Sequence, residues 1–179
     1  MCMVYERDYQ RTRMYRAEWE IIEDFDTLTL HQCWTFLAKS ITKAQFVKEF
    51  PKTFAYLGAD RWENPNSPDE YRPKQRLLYL HAGDRRSGLK LRPGYRRRYA
   101  EACYATITLP CWSRNKLTLL HELAHICCWK EVDGGDKLSA HGKEFAGVYL
   151  QLVRIVLGKK TADTLAESMA QHKVKVLVW

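Results

Sequence analysis

The chain has 179 residues, 46% of them hydrophobic, and a formal net charge of +8, enough for one domain with a real core around a buried site. No apolar run reaches membrane length, which argues against a membrane protein. Glu6, Arg7 and Asp8 stand where a signal peptide needs its apolar stretch, so export by that route is not expected.

Residues 8 to 23 read as a first helix with Tyr15, Trp19 and Ile22 on one face. Asp26 or Thr27 can cap a second helical region through Leu30, Cys33, Trp34, Leu37 and Ile41. A third carries Phe46, Val47 and Phe50 up to Pro51. These read as packing helices whose aromatics belong to the core. Residues 60 to 73, with Asn64-Pro65-Asn66-Ser67-Pro68, read as a loop. Strands are expected over residues 76–81, 89–91 and 102–109, with turns at Gly83 to Gly88 and at Pro93-Gly94. The last strand leads through Pro110 into the next helix. Its Ile107-Thr108-Leu109 stretch is either an edge that could hold an extended peptide or a strand paired on both sides.

Residues 72 to 98 hold ten basic side chains and one acid, Asp84, so this segment carries the whole net excess. Tyr71, Tyr79, Tyr95 and Tyr99 interleave it with rings that could stack on bases. The segment is either a nucleic-acid or acidic-protein surface or a solvated hairpin that keeps the protein soluble.

The next segment is the most informative. His121-Glu122-Leu123-Ala124-His125 is the HExxH pattern of a zinc hydrolase helix. At 3.6 residues per turn the two imidazoles share one face, one turn apart, where both can bind one ion, and Glu122 projects beside them as a base. Around the helix, Leu117, Leu119, Leu120, Leu123, Ala124, Ile126, Cys127 and Cys128 form a broad apolar side. Thr118, His121, Glu122, His125 and Trp129 form a narrow polar strip that should face a cleft. Asp133-Gly134-Gly135-Asp136 is a turn, after which a second amphipathic helix opens near Ser139 and carries Phe145, Val148, Tyr149, Leu152 and Ile155 to a stop at Gly158. This return can bring His141 over the imidazole pair as third ligand, with Glu144, nearly one turn further on, as its competitor.

The six cysteines, at positions 2, 33, 103, 111, 127 and 128, form no CxxC pair and no regular framework. Reduced thiols in a cytoplasm are expected. Cys128 lies near the ligand side of the helix and is either a fourth ligand or a small buried hydrophobe.

HELAH followed by His141-Gly142-x-x-Phe145 resembles the metal site of SprT-like (Spartan-type) zinc metalloproteases. A closer resemblance is to a small group of HExxH metallohydrolases from actinobacteria and their phages. It takes in Arg7-Asp8-x-Gln10-Arg11-x-Arg13-x-Tyr15-x-Ala17-Glu18, then Ile107-Thr108-Leu109-Pro110, and Tyr149-Leu150-x-Leu152-Val153 to Leu157-Gly158; residues 55 to 100 match only loosely. What the resemblance implies is zinc on His121, His125 and His141 with Glu122 as catalytic base. The zinc ribbon or DNA-binding tail common among SprT-like proteins has no counterpart read in these residues.

The expectation is therefore an α+β fold. It is a single zincin-like domain with N-terminal packing helices, a small mostly antiparallel sheet, the HExxH helix and a following HGxxF helix. The expected function is a zinc-dependent metallopeptidase acting on protein or peptide, with Tyr149 as a candidate oxyanion donor. The alternatives are a hydrolase of a small amide, and a zinc-stabilised binding protein that acts on nucleic acid or a host protein through residues 72–98. Oligomeric state is not legible.

Overall fold

A computed structural model describes residues 8–22, 24–57, 78–79, 88–132 and 138–177. Among them are seven helices and a four-stranded sheet, an α+β arrangement. The loop read over 60–73, the turn at 133–136, and most of the strand read over 76–81 lie outside the described residues, as do residues 72–77 and 80–87 of the basic segment.

Helix α1 (Arg11–Ile22) buries Met14, Ala17, Glu18 and Ile21. The expected face was different: Tyr15 and Trp19 are 37% and 63% exposed. The helical period was read correctly but its phase was not. The face that packs toward the C-terminal helix is Met14, Ala17 and Ile21, with the larger rings on the flank. Helix α2 (Leu30–Ile41) is capped by Thr29 and not by Asp26 or Thr27. Thr29 and Gln32 exchange reciprocal bonds with each other's backbone N–H, 3.2 and 2.8 Å long. Helix α3 (Ala44–Glu49) stops at Phe50, and a further helix, α4 (Pro51–Leu57), starts at once. Proline suits the first helical position because it lacks only an N–H that would be unpaired there.

The sheet contains β1 (Leu78–Tyr79), β2 (Lys90–Pro93), β3 (Glu101–Cys103) and β4 (Thr106–Leu109), in the order β1-β2-β4-β3. Two of its pairings are antiparallel and β2 runs parallel to β4, with Leu91 opposite Ile107. The single strand expected over 102–109 is a hairpin, with Ala102 opposite Ile107 and Tyr104 turning the corner at φ 52°. Ile107 and Thr108 are therefore paired on both sides, Leu109 with β2 alone, and β3 is an edge of the sheet. Ile107 and Leu109 are fully buried.

A short 3-10 turn, Cys111–Ser113, leads into α5 (Lys116–Glu131), where the Asn115 side chain accepts the Thr118 N–H at 2.8 Å. Helix α5 lies at the centre of the molecule, packed against α6, α4, α2 and β3. Its apolar side is buried as expected, and so are His121 and Glu122 on the polar strip. Helix α6 (Lys143–Leu157) returns beside it and ends at Gly158, whose φ of 98° favours glycine. Helix α7 (Lys159–Gln171) then packs on both α6 and α1. Among the described residues no helix is long and apolar enough to cross a membrane.

Candidate metal centre

HELAH occupies the middle of α5, while His141 sits just before α6, whose N-cap is Gly142. The return from α5 to α6 brings the three rings together. The Nε2 of His121 lies 3.1 Å from that of His141 and 3.2 Å from that of His125. All three ligand atoms fall within 4.8 Å of one another, close enough to hold a metal ion. Glu144 is not part of the group; its carboxylate lies 3.8 Å from Lys143 Nζ.

The second ring nitrogens explain why Nε2 is the inward atom. His121 Nδ1 donates to Glu18 Oε1, and His141 Nδ1 donates to Asp8 Oδ2 at 2.7 Å. A carboxylate on Nδ1 fixes the tautomer, leaving the Nε2 lone pair free to ligate. Lone pairs about 3 Å apart repel unless a proton or a cation lies between them. Two nitrogens on one tetrahedral zinc, at 2.0–2.1 Å each, stand roughly 3.3 Å apart, so the donor set fits that ion. The two carboxylates were not singled out from the sequence. Both come from the N-terminal segment, over a hundred positions before the rings they hold.

That segment is clasped in place by the far end of the chain. The Gln10 side chain is fully buried and bonds both the N–H and the carbonyl of Lys175, at 2.9 and 3.1 Å. The Ser168 hydroxyl donates to the Ala17 carbonyl at 3.0 Å, and Glu20 accepts from His172 at 2.7 Å. Helix α7, unread in the sequence, thus carries the support for α1.

The charges follow from burial and neighbours. Burial lowers His125 well below the ordinary imidazole value, and the other two rings and Arg11 lower it further. His141 is lowered chiefly by burial, against the pull of Asp8. Burial acts on His121 in the same sense, yet the Glu18 carboxylate, with Glu122 and Asp8, raises it overall. Glu122 is 4% exposed, and its carboxyl is pushed up to about 7 by burial, opposed by His121 and by a hydrogen bond from the Ala102 N–H. A cation on the imidazoles would draw it back down.

A cleft of about 470 Å³ opens over the centre, lined on one side by Glu101, Ala102 and Cys103 of β3 and on the other by Asp8, Arg11 and Tyr15. Glu122, His125 and His141 face it. The Ala102 N–H acts on Glu122, and the carbonyl of a residue in an extended strand lies on the same side as its N–H, so the main-chain groups of Ala102 are directed to the cleft. Tyr15 stacks on His121 at 5.6 Å between centroids and meets His141 edge-on at 5.2 Å. Tyr149 does not line the cleft. It is fully buried behind His121 and donates to the Leu117 carbonyl at 3.3 Å. Cys128 reaches the cleft wall, where burial pushes its thiol up to about 12, and it is not part of the histidine group.

Compared with protein-family models, curated proteins and solved structures, the chain matches none of them. The chemistry of the site is therefore read from its own geometry.

Proposed function

We propose that the chain is a zinc-dependent metallopeptidase of zincin-like build, with His121, His125 and His141 as ligands and Glu122 as base. One observation carries the reading: the His121 Nε2 lies 3.1 and 3.2 Å from those of His141 and His125, all three within 4.8 Å of one another, beside a buried carboxylate in a cleft walled by a strand edge. A zinc ion on the three rings supplies a Lewis acid that polarises a carbonyl and brings the pKa of water toward neutrality.

The remaining work falls to the chain's own groups. Glu122 accepts a proton from the attacking water and passes it to the leaving amine. Tyr15, whose phenol is raised chiefly by burial, stays protonated and can donate to the developing oxyanion, the part expected of Tyr149. The Ala102 carbonyl points to the cleft from edge strand β3 and can accept an N–H of an extended peptide, aligning the scissile bond. The buried, reduced Cys33, Cys127 and Cys128 suit a cytoplasmic setting.

The test is a peptide-library digest by zinc-loaded wild type and Glu122→Gln protein of equal metal content. Cleavage should fall by roughly 10²- to 10⁴-fold in the variant. Equal cleavage by the two would remove Glu122 from the reaction.

A further inference from the structure

The wall of the cleft opposite β3 carries a group that neither ligation nor proton transfer uses. Arg11, in the first turn of α1, lines the cleft and sets its guanidinium against two rings, with Cζ 5.5 Å from the Tyr15 centroid and 5.8 Å from that of Tyr99. Two ring faces near a guanidinium help to hold it in place without using its N–H fork. Among the described residues no carboxylate forms an ion pair with it. Asp8, the carboxylate its charge acts on, has Oδ2 committed to His141.

Arg11 is also close to the reacting centre. It lines the same cleft as Glu122, His125 and His141. A second polar group in the same cleft points to a polar ligand independently. Ser139 is 5% exposed, lines the cleft, and its hydroxyl has no hydrogen-bond partner among the described residues. A planar fork in a half-enclosed cleft matches a carboxylate bidentately.

We propose that Arg11 receives a carboxylate of the peptide substrate, so that the enzyme selects peptides presenting a negative charge a short distance from the scissile bond. That charge has two sources, a free C-terminus or a Glu or Asp side chain. This specificity rests on the metallopeptidase reading. Arg11 is a binding residue and exchanges no proton.

The test reads binding, not turnover, so that the two proposals fail separately. Zinc-loaded Glu122→Gln protein is titrated by calorimetry with acetylated alanine tripeptides bearing a free C-terminus, a C-terminal amide, or a C-terminal amide with one Glu or one Gln. The free acid, the Glu peptide, or both should bind roughly ten- to a hundredfold tighter than the neutral counterparts; which does so identifies the source of the charge. Arg11→Met, added to the same background, should bring that ratio near one, and Arg11→Lys, which keeps the charge without the fork, should retain only part of it. Arg11 is exposed, so neither change should unfold the chain, and circular dichroism checks this. Equal affinity for charged and neutral peptides, no binding of either, or a preference that survives Arg11→Met would overturn the assignment. A carboxylate preference in binding with no cleavage by wild type would keep the Arg11 site and sink the peptidase reading.

Discussion

Two helices meet at the histidine centre and contribute opposite things. Helix α5 is buried along nearly its whole length and supplies two of the nitrogens and the Glu122 carboxylate. Helix α1 is amphipathic and half in solvent, yet it and the residue Asp8 before it supply the carboxylates that turn two rings inward. The position of an imidazole is thus a local property of one helix, whereas its tautomer and direction are set by a tertiary contact.

That contrast orders the expected effects. The largest is on α5: His125→Ala or His121→Ala should abolish stoichiometric zinc binding, measured by metal analysis after dialysis, because a third protein nitrogen is lost. Retention of a full equivalent would mean that the ion sits elsewhere. Next comes the orienting pair on the α1 side. Glu18→Gln should weaken zinc affinity about 10- to 100-fold in competition with a chelator while leaving the three ligands in place. Asp8→Asn should cost less, toward the tenfold end, because its side chain is 24% exposed against 11% for Glu18. If Asp8→Asn were the more damaging change, burial would not be what ranks the two.

The smallest effects concern scaffolding. Asn115→Ala removes the N-cap of α5 and should lower stability by about 1 kcal/mol in a denaturant titration. Ser168→Ala, which unties α7 from Ala17 of α1, should lower stability by about 1 kcal/mol as well. The two should differ in their effect on the metal site. The Asn115 change should leave chelator resistance alone, since the rings are two turns further on. The Ser168 change should loosen the helix that carries Glu18 and lower that resistance. Equal behaviour of the two variants would mean that α1 is not the adjustable side of the site.

The same contrast explains what could be read in advance. HELAH, His141 and the stop at Gly158 are legible because helix period, ligand spacing and glycine geometry act within a few residues. The sequence offered His141 as third ligand with Glu144 as its competitor, and the structure brings His141 to the other two rings. Glu18 and Asp8 were not legible, since a carboxylate in or beside an Arg-rich amphipathic helix looks like a solvated charge until it meets an imidazole from a distant part of the chain. Helix α7 itself, KKTADTLAESMAQ, shows only a sparse stripe of Ala162, Leu165 and Met169, and it forms against α6 and α1 instead of through a strong apolar face. The β3–β4 hairpin was read as one strand because its corner, Tyr104-Ala105, has no glycine, proline or asparagine, and Tyr104 takes the left-handed conformation. Tyr15 was assigned to the core from its spacing, although its ring partly faces the cleft and packs on two ligand imidazoles.

X-ray absorption at the zinc edge of the purified, zinc-loaded protein tests the convergence of His121, His125 and His141 most directly. One zinc per chain should be found, with about three imidazole nitrogens at roughly 2.0–2.1 Å, one further light atom, and no sulfur. A sulfur shell at about 2.3 Å, fewer imidazoles, or a folded protein that takes up no zinc would contradict it.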